Sequence, residues 1–175
     1  MATKLFSGSK VLEQVQENAR RARSVVEGLS RSEIFDPAIT GKLEEITQSH
    51  LLAMPALERT EITRDRSSSE LMVKVPFRGD ASMFEFSVSG ASEILKRTIL
   101  QDDHILFAVP DSDAADKVTD ETLDLIDGNL KLMAAAIANQ QTVVEEAVRH
   151  GYEVRKRHFE EQDRRDKASK YRTIS

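Results

Sequence analysis

TDETLDLIDGNLKLMAAAIANQQTVVEEAVRHGYEVRKRHFEEQDRRD, residues 119–166, is the stretch that decides the fold. Within it Leu123, Ile126, Leu130, Met133, Ile137, Val144, Ala147 and Val154 recur on three- and four-residue steps. That is the seam of an α-helix packing one face against a neighbour. No proline interrupts it, and its glycines are Gly128 and Gly151. Thr119 is the expected N-cap, with Asp120 and Glu121 in the positive first turn. One helix of about 48 residues is ~70 Å long at 1.5 Å per residue. A compact domain of this chain length is only about 40 Å across. The expectation is a single α+β domain over residues 1–140, with residues 141–175 as a projecting distal helix and basic tail.

Working back from the helix, the period changes to two. Leu71, Val73, Val75 and Phe77 alternate with Met72 and Lys74, which predicts a strand with one buried face. Residues 78–82 read as a turn, and Phe84, Phe86 and Val88 as the returning strand of a hairpin. Pro76 has no N–H for a ladder, so its amide side is expected at an edge or a bulge. A second pair is expected from Leu95 to Leu100 and from Ile105 to Val109, with residues 57–66 a weak, exposed strand. Strands grouped together rather than alternating with helices imply α+β with a four- to five-stranded antiparallel meander. The half-helix from Leu123 to Ile137 is its natural cover.

Ahead of the sheet, Val11, Leu12, Val15, Ala19, Ala22, Val25, Val26 and Leu29 predict a helix over residues 10–29. Asp36-Pro37 reads as the start of a second helix reaching about Leu52, stopped by Met54-Pro55. Few residues join the two, so they form an N-terminal helical hairpin.

Lys4-Leu5-Phe6-Ser7, Ala53-Met54-Pro55-Ala56-Leu57, and Val75-Pro76-Phe77-Arg78-Gly79-Asp80 followed by Phe84, taken together, resemble stretches of a dispersed family of uncharacterised bacterial and archaeal hypothetical proteins. The resemblance implies a module found in variable, mobile, defence-like gene neighbourhoods that other domains can follow. It implies no catalytic residues.

Composition narrows the function classes. The 175 residues contain no cysteine, which removes disulfides, thiolate zinc sites and cysteine nucleophiles and fits an intracellular, cytoplasmic setting. Aromatic content is 5% with no tryptophan, unlike a stacking platform for single strands. No signal-peptide pattern opens the chain, and no apolar run is long enough to span a membrane. The net charge of −5 divides unevenly. Residues 149–175 carry nine Lys/Arg against five Asp/Glu, or +4, leaving −9 for the rest.

Candidate chemistry follows from these patterns. Arg78-Gly79-Asp80 spells an adhesion tripeptide but has the composition of an ordinary turn. Asp102, Asp103 and His104 gather two carboxylates and an imidazole at one turn, a possible divalent-metal hydrolase site if Asp111 or Asp113 joined them. Adjacent strand residues point to opposite faces, which opposes that convergence. His150 and His158 lie on nearly one helix face, too far apart for one chain to close a metal site with them alone. Arg155, Lys156, Arg157, Arg164 and Arg165 are the nucleic-acid candidates, opposed by the intervening Glu160, Glu161 and Asp163. No phosphate loop, nucleophile elbow or zincin helix is present. No catalytic residue, cofactor or metal is therefore assigned. The leading expectation is a non-catalytic interaction or assembly module, binding itself or another protein through Val144, Val148 and Val154. A nucleic-acid accessory and the metal-dependent hydrolase are the alternatives.

Overall fold

The computed structural model describes residues 4–67, 70–92, 94 and 98–169. In chain order its helices and strands are α1 (Val11–Glu27), α2 (Arg31–Ile34), α3 (Ile39–Ser49), β1 (Ala56–Leu57), β2 (Thr63–Ser67), β3 (Glu70–Arg78), β4 (Thr98–Leu100), β5 (His104–Pro110), α4 (Ala115–Ala136) and α5 (Gln140–Ala168). The fold is α+β: N-terminal helices, a five-strand antiparallel sheet, and a long C-terminal helix bent where α4 gives way to α5. The chain divides into two compact units. The first joins the stretch ending at Gln14 to Ala53–Ala138; the second joins Val15–Leu52 to the stretch from Asn139.

In the first unit the expected alternation holds. Val73 and Val75 of β3 pair across to Phe107 and Ile105 of β5, Phe77 N–H donates to Asp103 O just ahead of β5 at 3.0 Å, and Val73, Val75, Phe77, Ile105 and Phe107 are all buried. The helix α4 covers that face with Leu123, Ile126, Leu130 and Met133, as the seam predicts. Arginines on the neighbouring edge fasten it there: Arg59 donates to Asp127 at 2.9 Å and Asp124 at 2.8 Å, and Arg64 pairs with Asp116. The opposite sheet face carries Met72, Leu106, Ala108 and Ile99, which stay half-buried.

Strand order is β1-β3-β5-β4, with β2 also on β3. β5 therefore lies between β3 and β4, and the sheet is not a simple meander. The reason lies in residues 81–92. The expected strand through Phe84, Phe86 and Val88 does not form. Asp80 instead caps a 3-10 turn over Ala81–Phe84, accepting from the Ser82 N–H at 2.9 Å. The backbone beyond it finds its partners near the N-terminus. Phe6 N–H donates to Phe84 O at 2.6 Å, Gly8 N–H to Glu85 O at 2.7 Å, and Ser87 N–H to Ser9 O at 2.9 Å. Those bonds satisfy groups that a hairpin would otherwise have paired. Phe84 still reaches the core, edge-on to Phe77 at 4.8 Å and to Phe6 at 6.1 Å. Asn129 of α4 anchors the end of this segment, accepting from Ser92 N–H and donating to Ser92 O, both at 2.8 Å.

Pro76 sits as expected. Its carbonyl accepts from Glu58 N–H at 2.8 Å, so its nitrogen faces the same edge, where Arg59–Glu61 coil into a 3-10 turn between β1 and β2. The ladder is interrupted where a proline cannot contribute. Residues 95–97 of the expected strand lie outside the described residues; β4 covers Thr98–Leu100. Thr119 is not a cap. It is buried inside α4 and its hydroxyl bonds back to Ala115 O at 2.8 Å. The helix starts one turn earlier at Ala115, after Ala114, which makes no side-chain cap bond.

In the second unit the two expected N-terminal helices are present as α1 and α3, and the Asn18 side chain of α1 donates to His50 O at the end of α3 at 3.1 Å. Between them lies α2, which the periodicity did not reveal. Ser30 and Glu33 make a reciprocal capping box for it. Asp36 accepts from Ala38 N–H at 2.7 Å, so Asp36-Pro37 shapes the turn before α3 rather than its first turn.

Candidate interaction face

The helix α5 has two faces of different chemistry. Val144 and Val148 are 1% and 3% exposed, packed with Ala19, Ala22, Val26 and Leu29 of the N-terminal helices. Gly151 belongs to the same contact. A Cβ there would lie 3.1 Å from Arg23 O and 3.4 Å from Val26 Cβ, so glycine lets the two helices approach. Further along, Phe159 is buried beside Phe35, with ring centroids 6.5 Å apart.

This overturns two expectations. Residues 141–175 do not stand alone as a projection, since the described part of α5 joins α1, α2 and α3 in one core. Val144 and Val148 are likewise core residues, not intermolecular contacts, while Val154 remains 38% exposed. The distal seam found its partner in the hairpin's own apolar stripe, because burying two facing stripes in one chain costs no association entropy.

The basic candidates separate in the same way. Arg155 turns inward, donating from Nε to Leu29 O at 2.9 Å with its Cζ 4.4 Å from the Phe159 ring centroid. It satisfies a carbonyl at the end of the α1 segment. Lys156 lies 5.9 Å from the Tyr152 ring. Arg157, Arg164 and Arg165 are exposed. Arg31 grips Asp163 with both terminal guanidinium nitrogens, which holds the Asp163 carboxyl below its ordinary range. The five basic residues thus do not form one patch.

The turn at Asp102, Asp103 and His104 assembles a pair. Asp103 Oδ1 meets His104 Nδ1 at 2.5 Å, and that contact lowers the Asp103 carboxyl. Asp111 is taken by Arg66 at 2.7 Å. Among the described residues no three His, Cys, Asp or Glu converge as metal ligands. The Arg78-Gly79-Asp80 stretch is structural: Arg78 pairs with Glu58, Gly79 has φ of 108°, and Asp80 caps the following turn. No helix among the described residues is long and apolar enough to cross a membrane.

What remains is the solvent side of α5. Glu145, Glu146, Arg149, His150, Glu153 and Arg157 are exposed along it, followed by Glu160, Glu161, Arg164 and Arg165. Its N-terminal half borders a groove of about 700 Å³ against α3. Thr47 and Val148 are the buried floor, Leu43 is half-buried, and Glu44, Glu145 and Glu146 form an acidic rim. A second concavity lies at Glu161, Arg164, Arg165 and Ala168. The sequence carried a signal for this face in the paired blocks Glu145-Glu146 and Arg164-Arg165. Comparison with protein-family models, curated proteins and solved structures returns no match for this chain.

Proposed function

We propose that the chain is a non-catalytic protein–protein assembly module that binds through the outer face of α5 and the groove beside it. The observation that carries this reading is the groove itself: a partly apolar floor rimmed by three exposed glutamates, on a helix whose inner stripe is already satisfied. Its occupant is a helix with small or aliphatic contact residues and flanking basic groups. Aliphatic stems would cover Leu43 and Thr47 while their cationic ends meet the rim. Exposed charge pairs contribute little singly, so the contact depends on several acting together over the apolar floor.

Sedimentation tests this on the purified protein and on the protein in extract of its native cell. The expected mass exceeds the 19.7 kDa of one chain. The E44K/E146K variant is expected to lower it. A single-chain mass in both settings sinks the reading.

A further inference from the structure

The helix α4 has an outer face as well as the inner one that covers the sheet. Leu125 and Leu132 are each 41% exposed on it. Gly128 lies between them, and a Cβ there would meet no described atom within 4 Å. A glycine inside a helix is destabilising relative to alanine. For Gly151 the chain itself supplies the reason, since a Cβ would stand 3.1 Å from Arg23 O. For Gly128, in the middle of α4, no contact within the described residues does. Gly41 is open in the same way but falls in the first turn of α3. A bare stretch of backbone at mid-helix suits another backbone approaching from outside.

The residues around Gly128 are arranged symmetrically. At about 100° per residue, Leu125 and Leu132 lie roughly 20° apart around the helix, and so do Asp124 and Lys131. The leucines sit about 40–60° to one side of Gly128 and the charged pair about 40–60° to the other. Both pairs are centred within one residue of position 128. Asp124 bonds Arg59 at 2.8 Å, yet its side chain stays 70% exposed. Lys131 is exposed and has no ion-pair partner among the described residues.

We infer that α4 pairs with α4 of a second copy of this chain, antiparallel about a two-fold axis at Gly128. Such an axis, running across the helices, sets each flank of α4 against the same flank of its copy, and every contact occurs twice. Leu125 packs on Leu132 of the partner subunit, and Asp124 meets Lys131 of the partner subunit. On the axis Gly128 faces Gly128 of the partner subunit, where missing side chains let the helices close. A parallel pair would instead set the leucine flank against the charged flank. Sliding the antiparallel pair by a heptad either way keeps one leucine contact but sets Asp124 against its own copy, or Lys131 against its own copy. Like charges facing each other exclude those registers. One helix face is smaller than the roughly 1,200 Å² of a stable interface, so the dimer is weak and concentration-dependent.

This goes beyond the groove, which α3 and α5 line without α4. Sedimentation of the full chain from about 1 to about 500 µM tests it, with the mass expected to rise from one chain toward two. The variants are L125E and L132K, which place good helix formers at exposed positions. Each alone is expected to raise the dissociation constant roughly tenfold or more, by setting a charge against a leucine on both sides of the axis. Mixed, they are expected to recover the dimer, because Glu and Lys then meet at one contact and the native leucines at the other. That recovery also shows both variants to be folded. Gly128→Ala gives a separate readout: at about 1 µM, where the chain is single, it is expected to melt higher. At high concentration it is expected to associate more weakly.

A wild type that keeps a single-chain mass to the highest concentration overturns the pairing. Variants that associate as the wild type does remove α4 from the contact, and a mixture that fails to recover overturns the antiparallel register. A Gly128→Ala protein that melts higher yet associates unchanged overturns the close approach on the axis. Each of these failures leaves the groove reading to its own variant, E44K/E146K.

Discussion

Glu33 receives donors from three directions: Lys42, the Ser30 backbone N–H at 2.7 Å and the Ser30 hydroxyl at 2.7 Å. Together, Lys42 first, they lower its carboxyl from 4.5 to about 2. A folded value below the unfolded one contributes stability that is fully present above about pH 4.5 and is lost as pH falls toward 2. Glu33→Gln is therefore expected to flatten the stability profile across that acid window and leave it parallel above. Urea unfolding at stepped pH reads this, and an acid limb as steep as the wild type's would refute it. Gly79 is a second residue whose identity is set by backbone geometry. At φ of 108° a Cβ would stand 2.9 Å from Pro55 Cα, which is main chain and cannot swing away. Gly79→Ala is expected to cost about 1–3 kcal/mol in denaturant unfolding. A loss under ~0.5 kcal/mol, the level of an ordinary surface change, would show that the turn relaxes freely.

Among the elements, α5 shows how far helical spacing can be read. Its seam was legible, and so was its helicity, because periodicity is a local property. What the seam faces is not local. Val148→Ala is expected to lower stability by about 1–3 kcal/mol without altering the protein's mass, as for a core residue. Val154→Ala is expected to change stability by no more than ~0.5 kcal/mol. Thermal unfolding and light scattering on the pair distinguish the two roles; a Val148→Ala protein that kept its stability but lost its oligomer would restore the intermolecular reading. The segment after Gly79 makes the converse point. Phe84, Phe86 and Val88 have strand spacing, yet residues 6–11 bond first to the backbone of Phe84, Glu85 and Ser87. Strand propensity yields to whichever partner reaches the ladder. The short helix α2 could have been found, since Ser30-Arg31-Ser32-Glu33 carries the capping-box pattern that its periodicity lacks.

For the whole molecule, composition and alternation alone determined the class: α+β, an antiparallel sheet with Val73, Val75, Phe107 and Val109 inward, and α4 as its cover. They also placed Pro76 where the ladder breaks and Gly79-Asp80 in a turn. Tertiary structure alone decided that β5 enters between β3 and β4, and that the two compact units are assembled from segments distant in sequence. It alone turned Val144 and Val148 inward and left the charged side of α5, with its groove, facing solvent. The physical reason is that side-chain spacing reports the period of one element. The partner of that element is chosen by competition among all apolar faces and unpaired backbone groups in the chain, and no single stretch contains that information.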